Sequence, residues 1–191
     1  MSTLATQIRD AAFTRVVTAM PTAFKSTRKI PFPTLTPDML PALGVYLLRE
    51  QMSPDGDDNH AMPRYMVDAV IGFMLIDLAN DPAVLEGAID DRLDLIENTL
   101  LCDHTFLDLR DTETDKPIIE SVPQISRTYQ FPRDAESYYI EARLQMTFRF
   151  RCKFEQVLGP DLHEVDVEVR HGDMAESTDS FYQKFIIGTD P

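Results

Sequence analysis

A chain of 191 residues, 43% hydrophobic and 26% charged, is long enough for one well-buried core and lacks the bias of a disordered or low-complexity sequence. Its formal net charge of -14 and pI near 4.5 argue against a general nucleic-acid binder, because phosphate contacts need a basic face. The longest apolar run, Ala69 to Leu78, is about half the length of a membrane-spanning helix and carries Asp77, and the opening MSTLATQIRD lacks the apolar core of a signal peptide, so folding in the cytosol is expected.

Thr3 to Met20 places Leu4, Ile8, Ala11, Ala12 and Val16 at helical spacing, with Ser2 or Thr3 as the cap and Pro21 as the stop, which predicts an amphipathic helix. Prolines at 21, 31, 33, 37 and 41 forbid a continuous helix through the next segment and predict an extended surface connection. Its cations Lys25, Arg28 and Lys29 read as a solvated loop face. Leu43 to Arg49 follows as a strand with Leu43, Val45 and Leu47 on one side.

The stretch from Glu50 carries Pro-Asp-Gly turn chemistry and three acids, Asp55, Asp57 and Asp58. Counted from Asp55, the sixth residue is His60 and the twelfth Met66, whereas a calcium loop needs Gly and Glu there. A turn between antiparallel strands is left. Tyr65 to Leu78 is apolar on both faces and therefore belongs in the middle of a sheet, covered on both sides, with Gly72 marking a bulge or a close packing contact. Asn80-Asp81-Pro82 starts a second amphipathic helix, apolar at Leu85, Ile89, Leu93, Ile96 and Leu100 and polar on the side of Asp90, Asp91, Asp94 and Glu97.

Asp103 to Lys116 reads as a polar loop, and Ile118 to Tyr129 as a β segment that Pro123 demotes to an edge or bulged strand. From Tyr138 to Phe154 every second residue is apolar, nine in seventeen positions, which makes this long strand the most secure element of the sequence. At about 3.3 Å per residue it would span roughly 56 Å, more than the width of a domain this size, so part of it must project, bend or lie against another subunit. Its outward residues include Arg143, Arg149, Arg151 and Lys153. They read either as a solvated face with local ion pairs or as a contact stripe for an acidic partner. After Gly159-Pro160, Val165, Val167 and Val169 predict a short strand, and Phe181, Tyr182, Phe185, Ile186 and Ile187 need burial on the home sheet or on a neighbour.

No catalytic constellation emerges. His60, His104, His163 and His171 are scattered, and Cys102-Asp103-His104 is too short for a zinc site; neither a phosphate loop nor a dinucleotide or nucleophile-elbow motif is present. Cys102 and Cys152 are expected as reduced, small hydrophobic residues, with a disulfide between them as the alternative. No cofactor or metal is expected.

The order of elements resembles the tail terminator (tail completion, minor tail protein U-like) proteins of long-tailed bacteriophages and phage-like particles. The likeness lies in the N-terminal helix, in Val45-Tyr-Leu-Leu-Arg-Glu50 with its acidic hairpin loop, and in Ile96-Glu-Asn-Thr-Leu-Leu101 at a helix end. It continues in Ser126-Arg-Thr-Tyr-Gln-Phe131 and the run from Tyr138 to Arg151, covering roughly residues 3 to 155. The resemblance implies a ring, normally of six copies, that caps the head-proximal end of the tail tube in the virion, stops its polymerisation and joins it to the neck. The expected partners are further copies of the chain, the tube protein and a neck or head-completion protein. DNA would pass through an acidic lumen without specific binding.

The expected fold is thus α+β: a mainly antiparallel, mixed sheet with two amphipathic helices packed on it, plus a C-terminal β extension. Residues 1–156 are expected as the terminator-like domain and 157–191 as an extension that ends in an interaction tail. Candidate interface residues are Arg143, Arg149, Arg151 and Lys153; the candidate lumen or partner loop is Asp55, Asp57 and Asp58; Phe181, Phe185 and Ile186 are candidate docking residues. The competing readings are a head-tail connector or neck ring, and a small ligand-binding or enzymatic domain built around Asp68 and Asp77.

Overall fold

The computed structural model of the chain describes residues 3–32, 34–56, 64–79, 82–131, 133–134, 137–154, 164–168 and 182–186. The chain divides into two compact units, Met1–Phe154 and Glu155–Pro191. In the first, a helix α1 (Leu4–Ala19) precedes strands β1 (Ser26–Arg28), β2 (Ala42–Pro54) and β3 (Arg64–Ala79). Then come helices α2 (Pro82–Leu101) and α3 (His104–Leu107) and strands β4 (Ser121–Gln130), β5 (Arg133–Asp134) and β6 (Ser137–Lys153). In the second, β7 (Glu164–Glu168) and β8 (Tyr182–Ile186) form an antiparallel pair.

The sheet of the first unit runs β1-β2-β3-β6-β4, with the two-residue β5 also on β6. Every pairing is antiparallel except β1 with β2, so the fold is α+β with a mixed sheet, as expected. β3 lies at the centre because both its faces are apolar. β2 and β6 flank it through registers that run from Pro54↔Tyr65 to Ala42↔Ile76 and from Arg64↔Lys153 to Ala79↔Tyr138.

Both long helices bury one stripe. Thr3 caps α1 by accepting a hydrogen bond from the Thr6 amide, and the spacing of Ala5, Ile8, Ala12 and Val16 turns all four inward, each with no exposed surface. In α2, Pro82 occupies the first helical position and Leu85, Ile89, Leu93, Ile96 and Leu100 are buried. These stripes join one hydrophobic cluster with Leu43 and Val45 of β2, Val67 to Leu75 at alternate positions of β3, and Ile140 to Phe150 at alternate positions of β6. Phe106 of α3 meets Phe148 edge to face, with ring centroids 5.7 Å apart.

The other face of the sheet is partly covered too. Val70 and Met74 of β3 point there and are nearly inaccessible. The Tyr46 ring lies against Gly72, where a Cβ would come within 3.1 Å of it, so Gly72 marks a packing contact in an unbroken register and not a bulge. Gly44 similarly lies beside the Phe32 ring and the Ile30 carbonyl. The apolar second face of β3 is thereby covered at its middle, with no second helix layer among the described residues.

Three local features differ from the expectations and a fourth agrees with them. β2 continues to Pro54 through a register shift between Leu47 and Arg49, because β3 offers it backbone partners beyond the point where its own alternation fails. The presumed loop at 103–116 contains α3, capped by the Asp103 carboxylate at the Thr105 amide. Residues 26–28 form a short parallel edge strand where a free surface connection was expected. As expected, β4 is an edge strand, and its register shifts between Ser121 and Gln124, where Pro123 has no N–H to donate.

Candidate functional site

The outward face of β6 was the first candidate. Side chains directly opposite on antiparallel strands share a face, so Glu141, Arg143, Thr147, Arg149, Arg151 and Lys153 sit beside Ile76, Met74, Val70, Asp68, Met66 and Arg64 of β3. Arg149 donates from Nε and an Nη to both oxygens of Asp68, at 2.7 and 2.8 Å, a bidentate pair that this register creates. The Arg149 hydrogen bond holds the Asp68 carboxyl below the usual carboxylate range. Arg151 meets Asp55 at 2.9 Å and Glu120 at 3.0 Å, and Arg143 pairs with Glu141 two residues before it on the same strand.

Three of the four candidate cations therefore find acids within their own subunit. Lys153 differs: it is exposed, its cross-strand neighbour is Arg64, and among the described residues neither makes an ion pair. Arg49 of β2 is likewise exposed and unpaired among the described residues. Of the acidic loop, Asp55 belongs to this network through Arg151, while Asp57 and Asp58 lie outside the described residues. Phe181 also lies outside them. Phe185 and Ile186 are in β8, opposite Val165 and Glu164.

A second feature, on the opposite face, is a gradient along the three long strands. On the helix side of β6, Ile140 through Phe150 are at most 3% exposed, Cys152 is half-buried and Phe154 is 48% exposed. β3 follows the same course, from Val67 at 1% to a half-buried Tyr65, and β2 from Val45 at 0% to Met52 at 50%. The Tyr65 and Phe154 rings meet edge to face at 5.6 Å. The strands thus end in a shared tip, apolar on one face at Met52, Tyr65 and Phe154, and basic on the other at Arg64 and Lys153.

Sequence reasoning missed a set of contacts between α2 and the sheet. Arg92 reaches back to Asp77 of β3, which explains why a carboxylate stands in an apolar run. Arg127 of β4 donates to Glu97 and Asp94 at 2.7 and 2.6 Å, and the Tyr129 hydroxyl donates to Asp90. Glu97 raises the Arg127 guanidinium further above its ordinary value, and burial followed by the Asp90 hydrogen bond pushes the Tyr129 phenol up. The polar side of α2 was legible as a row of acids. That half of it faces β4 was not, since the signal for it is a cross-strand pattern, Arg127 and Tyr129 two residues apart on an edge strand.

Among the described residues no group of three or more His, Cys, Asp or Glu is placed to hold a metal, and no buried side-chain nitrogen or oxygen lacks a hydrogen-bond partner. Cys102 and Cys152 are free thiols; Cys102 is exposed, and burial pushes the Cys152 thiol up. No helix among the described residues is long and apolar enough to cross a membrane.

No protein-family model matches the chain, and no curated protein matches it. Among solved structures, a chain from the virion of a native gene transfer agent particle is similar over 74% of this chain and 93% of its own length, at 12% identity and a TM-score of 0.31. A likeness that slight carries no argument about what this chain does.

The two acids around which a ligand cleft could have been built are both occupied from within the subunit, Asp68 by Arg149 and Asp77 by Arg92. At the strand tip Met52 and Phe154 are about half exposed, and Arg64 and Lys153 make no ion pair among the described residues.

Proposed function

We propose that this chain is a structural virion protein of a long-tailed phage or phage-like particle, a tail terminator whose copies form a ring on the head-proximal end of the tail tube, end its polymerisation and provide the joint to the neck. The observation that carries this reading is the common tip of β2, β3 and β6. Three strands extend together until their inward-pointing side chains emerge, with Met52 50% and Phe154 48% exposed. A domain that works alone gains nothing by extending paired strands beyond its core, whereas a ring subunit uses such an extension to reach its neighbour.

The element order that resembles tail terminators supports the same reading, and the acidic balance suits a lumen along which DNA slides without adhering. The occupied state of Asp68 and Asp77 weighs against the ligand-binding alternative. Six copies is the stoichiometry the resemblance implies.

The test is assembly on a tube. Purified protein added to polymerising tail tube protein should shorten the tubes and appear by negative stain as a ring on one end, with light scattering giving the mass of the closed ring. Tubes that lengthen unchecked would sink the terminator reading, and binding to a neck or portal ring without binding to tubes would replace it with the connector reading.

A further inference from the structure

A sheet that ends inside a subunit leaves its outermost strands with a row of backbone N–H and C=O groups pointing outward. The outermost strands here are β4 on one side and, past the three residues that β1 covers, β2 on the other. β1 pairs with Ala42 to Gly44 and stops; the chain then leaves the edge, so that the Ile30 carbonyl and the Phe32 ring lie over Gly44 on the sheet face. Among the described residues no backbone hydrogen bond from outside the sheet reaches 45–53 or 121–130, and β7 and β8 pair with each other. Both edges keep apolar side chains in the open, Leu48 and Met52 on β2, Ile125 on β4 and Phe131 just after it.

The devices that protect an edge strand are present but incomplete. The register shift at Pro123 blunts the start of β4, and the bulge between Leu47 and Arg49 blunts the middle of β2. Beyond them Gln124–Gln130 and Arg49–Pro54 run in unbroken register. Neither stretch carries a lysine, and proline enters only at the last position, Pro54.

The two open edges also match in direction. The pairings of β2 with β3, β3 with β6 and β6 with β4 are all antiparallel, so β4 runs antiparallel to β2. A second copy laid beside the first, helices on the same side, therefore offers β4 an antiparallel partner. Ile125 and Met52 both stand on the helix side of the sheet, opposite the core residues Met146 and Val67. Setting Ile125 beside Met52 places Gln124 by Ser53, Ser126 by Gln51, Arg127 by Glu50 and Thr128 by Arg49. One of these pairs has opposite charges and none has like charges. Within one subunit Ile125 lies in the row of Met146, Ile71 and Leu47, whereas Met52 lies opposite Val67, four residues from Ile71 along β3. Each copy is thus stepped by about 13 Å along the strands, an even number of residues that keeps both faces in phase, and a stagger of this kind is what closing a sheet on itself requires.

We infer that β4 of one copy pairs along its open edge with Arg49–Ser53 of β2 of the next copy, carrying the sheet across the subunit boundary. The contact joins one surface to a different one, so it passes from copy to copy and closes as a ring. It rests on the assembly reading above and gives the projecting end of β2 its partner.

Cysteine pairs in the full chain, with Cys102 and Cys152 changed to Ser, test it. Within one subunit β3 and β6 separate β2 from β4, about 14 Å at about 4.8 Å per strand, and Cα atoms more than about 7 Å apart cannot be bridged. A bridge between the two strands is therefore a bridge between copies. Successive pairs on antiparallel strands alternate between wide and narrow spacing, so Ser126→Cys with Gln51→Cys and Ile125→Cys with Met52→Cys are both made. At least one of these double variants, mildly oxidised, should run on a denaturing gel as a ladder of covalent oligomers that collapses on reduction. Each single variant should stay monomeric on that gel, and a mixture of the two single variants of the closing pair should stop at dimers. Circular dichroism checks that every variant keeps the parent fold.

A parent protein that is monomeric in light scattering overturns the inference, and so does an assembling parent in which neither pair closes. Closure of Ser126→Cys or Ile125→Cys with its own kind overturns it in favour of a two-fold contact between β4 strands. Closure of Ser126→Cys with Lys184→Cys in place of Gln51→Cys overturns it in favour of β8. A ladder without capping of tubes leaves the edge contact standing and sinks only the terminator reading, and capping without a ladder does the reverse.

Discussion

The helix-covered part of the sheet and its tip are made from the same three strands with the same alternation, yet they are different kinds of surface. In the covered part, Phe148 of β6 has no exposed area and is locked edge to face on Phe106. Six residues on, at the same phase but one residue past the end of β6, Phe154 is 48% exposed and its ring touches only the edge of Tyr65 among the aromatic residues described. A period of two fixes which way a side chain points. Whether anything lies above it depends on how far the helices reach, and α1 and α2, at about 1.5 Å per residue, run out before strands that rise about 3.3 Å per residue.

The largest effects should come from the covered half. Phe148→Ala removes a fully buried ring and leaves a cavity under α3, and it should cost about 3–5 kcal/mol in urea unfolding. Asp77→Ala leaves the Arg92 guanidinium without its acceptor under the N-terminal half of α2. Because Arg92 is 24% exposed and can turn to water, the loss should be smaller, about 1–3 kcal/mol. If Asp77→Ala proves neutral, the contact between α2 and β3 is held by the apolar stripe alone.

The parts of this architecture that could be read from residues are those set by period and punctuation. The inward stripes of α1, α2 and β6, the central position of β3 and the edge character of β4 all follow from the spacing of apolar residues and from Pro82 and Pro123. Partners across elements could not be read that way. Asp68 and Asp77 carry no sign in the sequence that Arg149 and Arg92 will meet them, because each pair depends on a register or on a helix's placement. The stripe on β6 shows the same limit: Arg143, Arg149 and Arg151 counted as outward charge until the strands beside them brought Glu141, Asp68, Glu120 and Asp55 into contact. Reversing Arg149 would therefore report on a pair within the subunit.

Gly72 tests the face opposite the helices. Its added Cβ would fall 3.1–3.2 Å from the Tyr46 ring, tighter than ordinary contact, and the ring is hemmed in enough that burial pushes its phenol up. Gly72→Ala should cost about 1 kcal/mol through displacement of that ring, and Tyr46→Leu in the same chain should recover part of the loss. Equal costs with and without Tyr46 would place the strain in the backbone.

Acid should weaken both regions through different carboxylates. In the covered half, Asp103 is held below the usual carboxylate range by the Thr105 hydroxyl and then by Arg15; nearer the tip, Asp68 is held down by Arg149. A carboxyl lowered on folding contributes stability that is complete above its unfolded value of about 3.9 and is lost as pH falls through the folded value beneath it. Stability should thus be insensitive to these groups between neutrality and about pH 5, and should fall below about pH 4. Asp103→Asn should lower stability at neutral pH and make the acid limb shallower, and Asp68→Asn should do the same to a smaller degree if the tip frays before the core.

The smallest effect on folding is expected at the tip, and there the comparison is sharpest. Phe154→Ser removes a half-exposed ring whose described aromatic contact is the Tyr65 edge, so its cost in urea should be about 0.5 kcal/mol, near the lower end for an aromatic pair. The same substitution should weaken self-association visibly in light scattering, because about half of the ring is open to a neighbour. Phe148→Ala should do the reverse, lowering stability while leaving the association of the folded fraction unchanged. If Phe154→Ser instead destabilises the subunit by as much as a core substitution, the tip is a closed part of the fold. The half-exposed ends of β2, β3 and β6 would then need no partner, and the asymmetry between the two ends of the sheet would have no bearing on assembly.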